Sequence, residues 1–265
     1  MVHKLLTPHT FFSKKEINQR MNYLRIRFLI SVIFICLLFS GCGIIDYYFL
    51  KPKPQTPLEL LEAGEEALSE KNYDRAIEYF EKMKDKYPFS PYTVRAELLL
   101  GDSYFYAKKY EEAETAYKEF QSLHPGDKNI DYVIFQIGMS NFYQKPSIDL
   151  PQHCIHEAIS YFTRLIEAYP KSQYVQKAKE MVKKCRYILA KHEIYVANFY
   201  FRTKRYKGAW KRYLYIQQNF PEFKDILEYS KYMAKIAHIK YELKLSEEKR
   251  EKKYGGFWTK IKRWL

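Results

Sequence analysis

Small and aromatic positions recur along this chain at fixed steps, set in polar sequence. Gly64 is followed by Tyr73, Ala76 and Phe80, and the segment closes on Tyr87-Pro88. A step of 37 residues brings the set back as Gly101, Tyr110, Ala113, Tyr117 and Pro125. It returns as Gly138, Ala158, Phe162 and Tyr169-Pro170, and again as Ala197, Tyr206, Ala209, Tyr213 and Phe220-Pro221. A period in this range is the mark of a repeat array. Each unit is read as two antiparallel helices. The small residue of the first helix (Gly64, Gly101, Gly138, Ala197) is expected to meet the small residue of the second (Ala76, Ala113, Ala158, Ala209), so that the backbones approach closely. The aromatic four residues later fills the hole one turn on. The closing proline lacks an N–H and ends the second helix.

The pattern resembles the tetratricopeptide (TPR) repeat. The expected fold is all-α: a TPR-like helical-hairpin solenoid, a right-handed superhelix, behind an N-terminal lipoprotein signal. Helices are expected from about Pro57 to Ser69 and from about Tyr73 to Lys86, with a second repeat from Pro91 to His124. The third repeat is irregular. Gly138 to Ala158 spans 20 residues where Gly64 to Ala76 spans 12, and the extra residues lie in the Pro-containing stretch 145–151. A loop inserted in a regular array is a place to look for specific function. A long helix is expected from near Ser172 to Ile188, with 190–202 continuing it or following a kink. Residues 206–219 complete repeat four, and a last helix runs from about Phe223 to Lys252 until Gly255-Gly256 stops it.

The beginning of the chain reads differently. Residues 28–39 are a mostly apolar run of about twelve, short of the roughly 20 needed to span a bilayer and in keeping with the core of an export signal. Arg25 and Arg27 precede it, and Met21 sits just before them as the suspected true start, a long natural N-terminal region being the other reading. Leu38-Phe39-Ser40-Gly41-Cys42 then resembles a bacterial lipobox, with Cys42 as the lipidated first residue of the mature chain. Phe39 departs from the usual leucine. Gly43 is not the Asp that holds many such proteins at the inner membrane, so the resemblance implies the outer membrane, periplasmic face. The domain reading is 1–41 signal, 42–56 lipidated tether, 57–222 repeats, 223–254 C-terminal helix and 255–265 basic aromatic tail.

Charge and chemistry narrow the function. The formal charge is +14, of which residues 1–41 carry +5, leaving +9 after Cys42 becomes the N-terminus. A basic protein at a membrane favours anionic lipid or an acidic partner. Nucleic acid is set aside, since an exported lipoprotein rarely meets it. There is no Gly-rich phosphate loop and no G-x-S-x-G elbow. His153 and His156 would share a helix face and suit zinc, but ordinary polar surface is the preferred reading, so no metal site, no cofactor and no enzymatic activity are expected. Cys154 and Cys185 either pair in an oxidising compartment or remain thiols. The tail, with Trp258, Ile261, Trp264 and Leu265 among basic residues, lies on a membrane, docks on a partner or frays.

Three segments carry a more specific resemblance: Ala76 to Phe80 with Tyr87 to Tyr92, Glu157 to Phe162 with Tyr169 to Tyr174, and Leu189 to Tyr200. With the lipobox, the short tether and the insertion in repeat three, the chain resembles the BamD family, lipoproteins of the β-barrel assembly machinery of Gram-negative outer membranes. The resemblance covers about residues 38–222, and 223–265 matches poorly. It implies a scaffold that binds the periplasmic POTRA region of a BamA-like outer-membrane protein and unfolded outer-membrane β-barrel proteins, tethered by its lipid. The alternative is another exported TPR lipoprotein, such as a secretin pilot or an envelope-division adaptor. Two residues are singled out for partner binding. Tyr104 is expected in a concave groove of the first two repeats that accepts aromatic-rich strand ends. Arg212, about 100° around the helix from inward-facing Tyr213, is expected at the rim, offering a planar fork to a partner carboxylate, or else is simply solvated. The family also carries a basic residue in that region towards BamA.

Overall fold

A computed structural model of the chain describes residues 19–33, 56–262 and 264, and divides it into two units, 1–54 and 55–265. In the first unit residues 19–33 are helical (α1) and exposed; this covers only the start of the apolar run. Cys42, the lipobox and the tether up to residue 55 lie outside the described residues.

The second unit is a stack of antiparallel helix pairs: α2 (Pro57–Ser69) and α3 (Tyr73–Lys86), α4 (Thr93–Tyr106) and α5 (Tyr110–Leu123), α6 (Ile130–Tyr143) and α7 (His153–Ala168), α8 (Val175–Arg202) and α9 (Tyr206–Asn219), then α10 (Lys224–Lys262). The start of α2 is set by a capping box. Glu59 N–H donates to Thr56 Oγ1 at 3.3 Å, and Thr56 N–H to Glu59 Oε2 at 3.2 Å, so two end donors are satisfied reciprocally. Pro57 occupies the first turn, where a missing N–H costs nothing.

The glycines of the first helices pack directly against second-helix rings. Gly64, Gly101 and Gly138 each lie under the ring of the second-helix aromatic. A Cβ on Gly101 would stand 2.6 Å from Tyr117 Cε1, and one on Gly138 2.6 Å from Phe162 Cε1; Gly64 faces Phe80 in the same way. A helical side chain leans back over the preceding turn of its own helix, which carries the ring onto the glycine. Ala76, Ala113, Ala158 and Ala209 are fully buried beside these rings.

Repeat four stretches the plan. The helix from Val175 to Arg202 is continuous for 28 residues, so 190–202 continues it without a break. The last helix likewise runs through Gly255-Gly256 to Lys262 rather than stopping there. Glycine costs about 1 kcal/mol per position relative to alanine, and no proline blocks the ladder, so the Lys- and Glu-rich turns before it carry the helix through. Every buried apolar residue of the described chain falls between Leu60 and Ala237, in one cluster over repeat one and a larger one from Ala113 onward. The second unit therefore holds its own core.

Candidate functional site

The first helix of each pair touches the next first helix at both ends of the array, α2 with α4 and α8 with α10. The first helices thus share one side of the array, and its middle is lined by a polar-aromatic strip. Tyr117 and Tyr132 hydroxyls both donate to Asp102 Oδ1, each at 2.6 Å, and Gln136 Nε2 donates to Tyr132 at 2.8 Å. Burial pushes the Asp102 carboxyl above its ordinary range, against the two tyrosine donors. Burial, then the Asp102 charge, pushes both tyrosine hydroxyls up. Phe135 and Tyr174 continue the strip, stacked at 5.3 Å. Further along, Phe142, Tyr187, Ile188 and Phe223 enclose an apolar cleft of about 560 Å³ bordered by Glu180, Lys183 and Lys184.

Tyr104 is not on this side. Its hydroxyl donates to Glu81 of α3, and its ring borders an acidic depression shared with Glu111, Glu112 and Glu119 of α5. It thus faces the second helices, because three positions on from Gly101 a helical residue returns to the packed seam. Tyr106, 53% exposed and stacked on Tyr73 at 5.8 Å, lies closer to the Asp102 strip.

Arg212 is already engaged within the chain. Its Nη1 donates to Glu193 Oε2 of α8 at 2.7 Å, and its guanidinium lies 5.4 Å from the Tyr200 ring centre. The expected open fork is a clamp between α8 and α9, and neither Arg212 nor Tyr104 shares a site with the other. Tyr200 also packs on Gly208, where a Cβ would stand 2.7 Å from Cδ1. The sequence reading missed Gly208; its only signal is a glycine in the first turn of an otherwise regular helix.

The insertion of repeat three is an ordered loop. Gln152, 5% exposed, donates through Nε2 to the carbonyls of Ser147 and Leu150 at 3.0 and 2.8 Å. His192 Nδ1 sits 2.6 Å from the Ile148 carbonyl oxygen, which pins the loop to α8. His192 thereby explains part of the Leu189 to Tyr200 segment. Ile148 and Leu150 are left 42% and 50% exposed. Cys154 and Cys185 are separate free thiols, and burial holds the Cys185 thiol up at about 12. Among the described residues no three His, Cys, Asp or Glu side chains gather in a way that would hold a metal ion.

The profile of the YfiO family, described as outer membrane lipoprotein, matches residues 53–254. The chain belongs to the YfiO family. The YfiO match includes every helix pair and most of α10, and so runs past residue 222, where the sequence resemblance was expected to fade. The chain is 24% identical over 160 residues to the outer membrane protein assembly factor BamD of Caulobacter vibrioides, covering 60% of this chain and 52% of that protein. It is 24% identical over 174 residues to BamD of Pasteurella multocida, covering 62% and 67%. The match to the first of these relatives spans about half of that protein's length. Among solved structures, the TPR2AB domain of yeast Sti1 in its pHSP90 complex aligns over 70% of each chain at 15% identity, with a TM-score of 0.43. No helix of the described residues is long and apolar enough to cross a membrane.

Proposed function

We propose that the protein is an assembly factor for outer-membrane β-barrel proteins, a scaffold rather than an enzyme. The observation that supports this is the YfiO match over 53–254, with BamD proteins as relatives. In this reading Cys42 carries the lipid that tethers the array at the periplasmic face of the outer membrane. The first-helix side of the repeats receives an extended, aromatic-rich segment of an unfolded barrel protein. The Asp102–Tyr132 strip offers hydrogen-bonding groups to its backbone, and the cleft at Phe142 and Phe223 accepts an apolar side chain. The last repeat, around Arg212, faces the POTRA region of a BamA-like protein.

The test is isolation of the tagged native protein from its own envelope under mild detergent. A BamA-like barrel protein with POTRA domains is expected to co-purify in near-equal amount. Recovery of a secretin or a division complex in its place would overturn the reading in favour of a different exported repeat lipoprotein.

A further inference from the structure

The last helix, α10, ends the stack and packs on α9 and α8. Its packed face carries Ile226, Ser230, Ala234 and Ala237, all buried. A helix that ends a repeat array needs a polar outer face to stay in water. The outer face of α10 is not polar along its middle. Tyr232, Ile239 and Leu243 are 65%, 58% and 58% exposed there, and half-buried Ile236 lies beside them. These four follow one another at steps of four, three and four residues, the spacing of a seam between two helices.

The charges beside the seam are ordered. On one flank the sign alternates every seven residues, through Glu228, Lys235, Glu242 and Lys249, and the other flank carries Lys240 and Glu247. All six are exposed. The alternating flank is complementary to itself when it is reversed. A second α10, turned end for end about a two-fold axis midway between Ile236 and Ile239, sets its Ile239 against Ile236 and its Leu243 against Tyr232. The same rotation sets Lys235 against the partner's Glu242 and Glu228 against the partner's Lys249, and each pair occurs twice. A parallel pair in register would set Lys235 against the partner's Lys240 and Glu242 against the partner's Glu247, like charge against like. An anionic bilayer is disfavoured by the carboxylates of Glu228, Glu242 and Glu247 along the stripe. Within the helix Glu228 meets Lys231 at 3.0 Å and Glu242 meets His238 at 3.7 Å, exposed pairs of small worth that an interhelical lysine can join.

We propose that the outer face of α10 is a self-association surface, on which two copies of this chain pair antiparallel about a two-fold axis. The apolar seam from Tyr232 to Leu243 supplies the burial, and the Glu228, Lys235, Glu242 and Lys249 flank sets the direction and register. The seam covers about three helical turns, a small contact of the kind that holds weakly and forms at high protein concentration. This pairing goes beyond the assembly function and does not depend on it.

The second unit holds its own core, so the unlipidated chain from residue 43 onward is the reagent. Its mass is followed by sedimentation equilibrium at concentrations up to about 1 mM, the range of weak association. A monomer–dimer equilibrium is expected. Ile239→Asn with Leu243→Asn is expected to weaken it tenfold or more, at parent helicity and melting. Lys235→Glu and Glu242→Lys, made singly, are each expected to weaken it as much, because each places like charges together twice across the axis. Mixed in equal amounts, the two single variants are expected to pair with one another as strongly as the parent does, since each then meets opposite charge at both positions. The double variant Lys235→Glu with Glu242→Lys is expected to recover in the same way. A parent that stays monomeric, a seam variant that still dimerises, or single charge variants that pair no better mixed than alone would overturn the proposal. Binding of the stripe to vesicles or to a different protein, with no dimer formed, would overturn it as well.

Discussion

Tyr117 donates to Asp102 across 15 residues at 2.6 Å, and Tyr213 donates to Asn198 across the same 15 residues at the same distance. Each acceptor takes a second tyrosine from the next first helix, Tyr132 in one case and Tyr229 in the other. Where the acceptor position holds Glu65 or Met139, the second-helix aromatic is Phe80 or Phe162, with no hydroxyl to satisfy. Repeats two and four are thus joined to their successors by a shared hydrogen-bonded triad that repeats one and three lack.

Asn198 shows that the triad works without a charge, which yields a pH prediction for Asp102. Burial raises the Asp102 pKa above its ordinary 3.8. The folded chain then keeps a proton that the unfolded chain has lost. Stability from this group is therefore present below the ordinary carboxylate range and falls as pH rises from there through the raised folded value. Asp102→Asn keeps both acceptor contacts and removes the titration. The variant is expected to gain stability relative to the parent between acid and neutral pH in urea unfolding. A difference that stays flat with pH, or runs the other way, rejects the account. Removing the Tyr117 hydroxyl with Tyr117→Phe should cost about 1.5–3 kcal/mol, the range for a hydrogen bond to a charged group.

The ring of Tyr117 also dictates Gly101. Gly101→Leu places side-chain atoms where the ring lies, and overpacking of this kind costs about 1–3 kcal/mol. Repeats contact chiefly their neighbours, so hydrogen exchange should rise first in α4 and α5. Shrinking the ring in the double variant Gly101→Leu with Tyr117→Leu should recover part of the loss, because the two positions touch. A melt like the parent's for Gly101→Leu alone would show that the ring can move aside.

Much of this was legible in the sequence, and what was not has a physical reason. The 37-residue period located α2 to α5 and α9 closely, because a small residue, an aromatic and a closing proline each leave a mark on every repeat. Thr56-x-x-Glu59 was also there to be read as a capping box. That the ring lies directly over the glycine was not, since an aromatic side chain reaches well away from its own Cα. The same limit misplaced Tyr104: a period identifies the helix, but the face is fixed by neighbours on two other helices. Arg212 was placed correctly on α9, while its engagement by Glu193 joins residues whose spacing of 19 follows no helical period. The run of α10 through two glycines was hidden because propensity marks them as a stop.

The hairpin turns hold a further expectation. Lys71, Lys108 and Lys204 occupy the same turn of repeats one, two and four with φ near 60°, a region where Cβ crowds the backbone. Lys108→Gly removes that crowding at an exposed position, against the extra freedom glycine gives the unfolded chain. The net expectation is a gain of about 0.5–1 kcal/mol, seen as a higher urea midpoint at unchanged slope. A loss would mean that the lysine side chain contributes more at the turn than its backbone strain costs.

Arg212 tests the proposed BamA-facing surface, and its internal partner makes the test sharper. Arg212 lies between Glu193 and Tyr200, so Arg212→Glu loses an ion pair and a ring contact and places two carboxylates together. The pair is partly exposed, so the cost to folding is expected to be about 1 kcal/mol, small enough to leave the chain folded. If the arginine also serves the partner, binding to the isolated POTRA region of the cognate BamA-like protein should weaken at least tenfold, about 1.4 kcal/mol. Glu193→Gln separates the two roles. It leaves the guanidinium in place and frees its fork, so a partner carboxylate should then bind more tightly, while a purely internal clamp would weaken the fold and leave affinity unchanged. Arg212→Lys adds a third reading, because lysine keeps the charge but loses the planar fork and the ring contact. Affinity that survives all three variants would move the partner surface off α9, towards the exposed turns of α10.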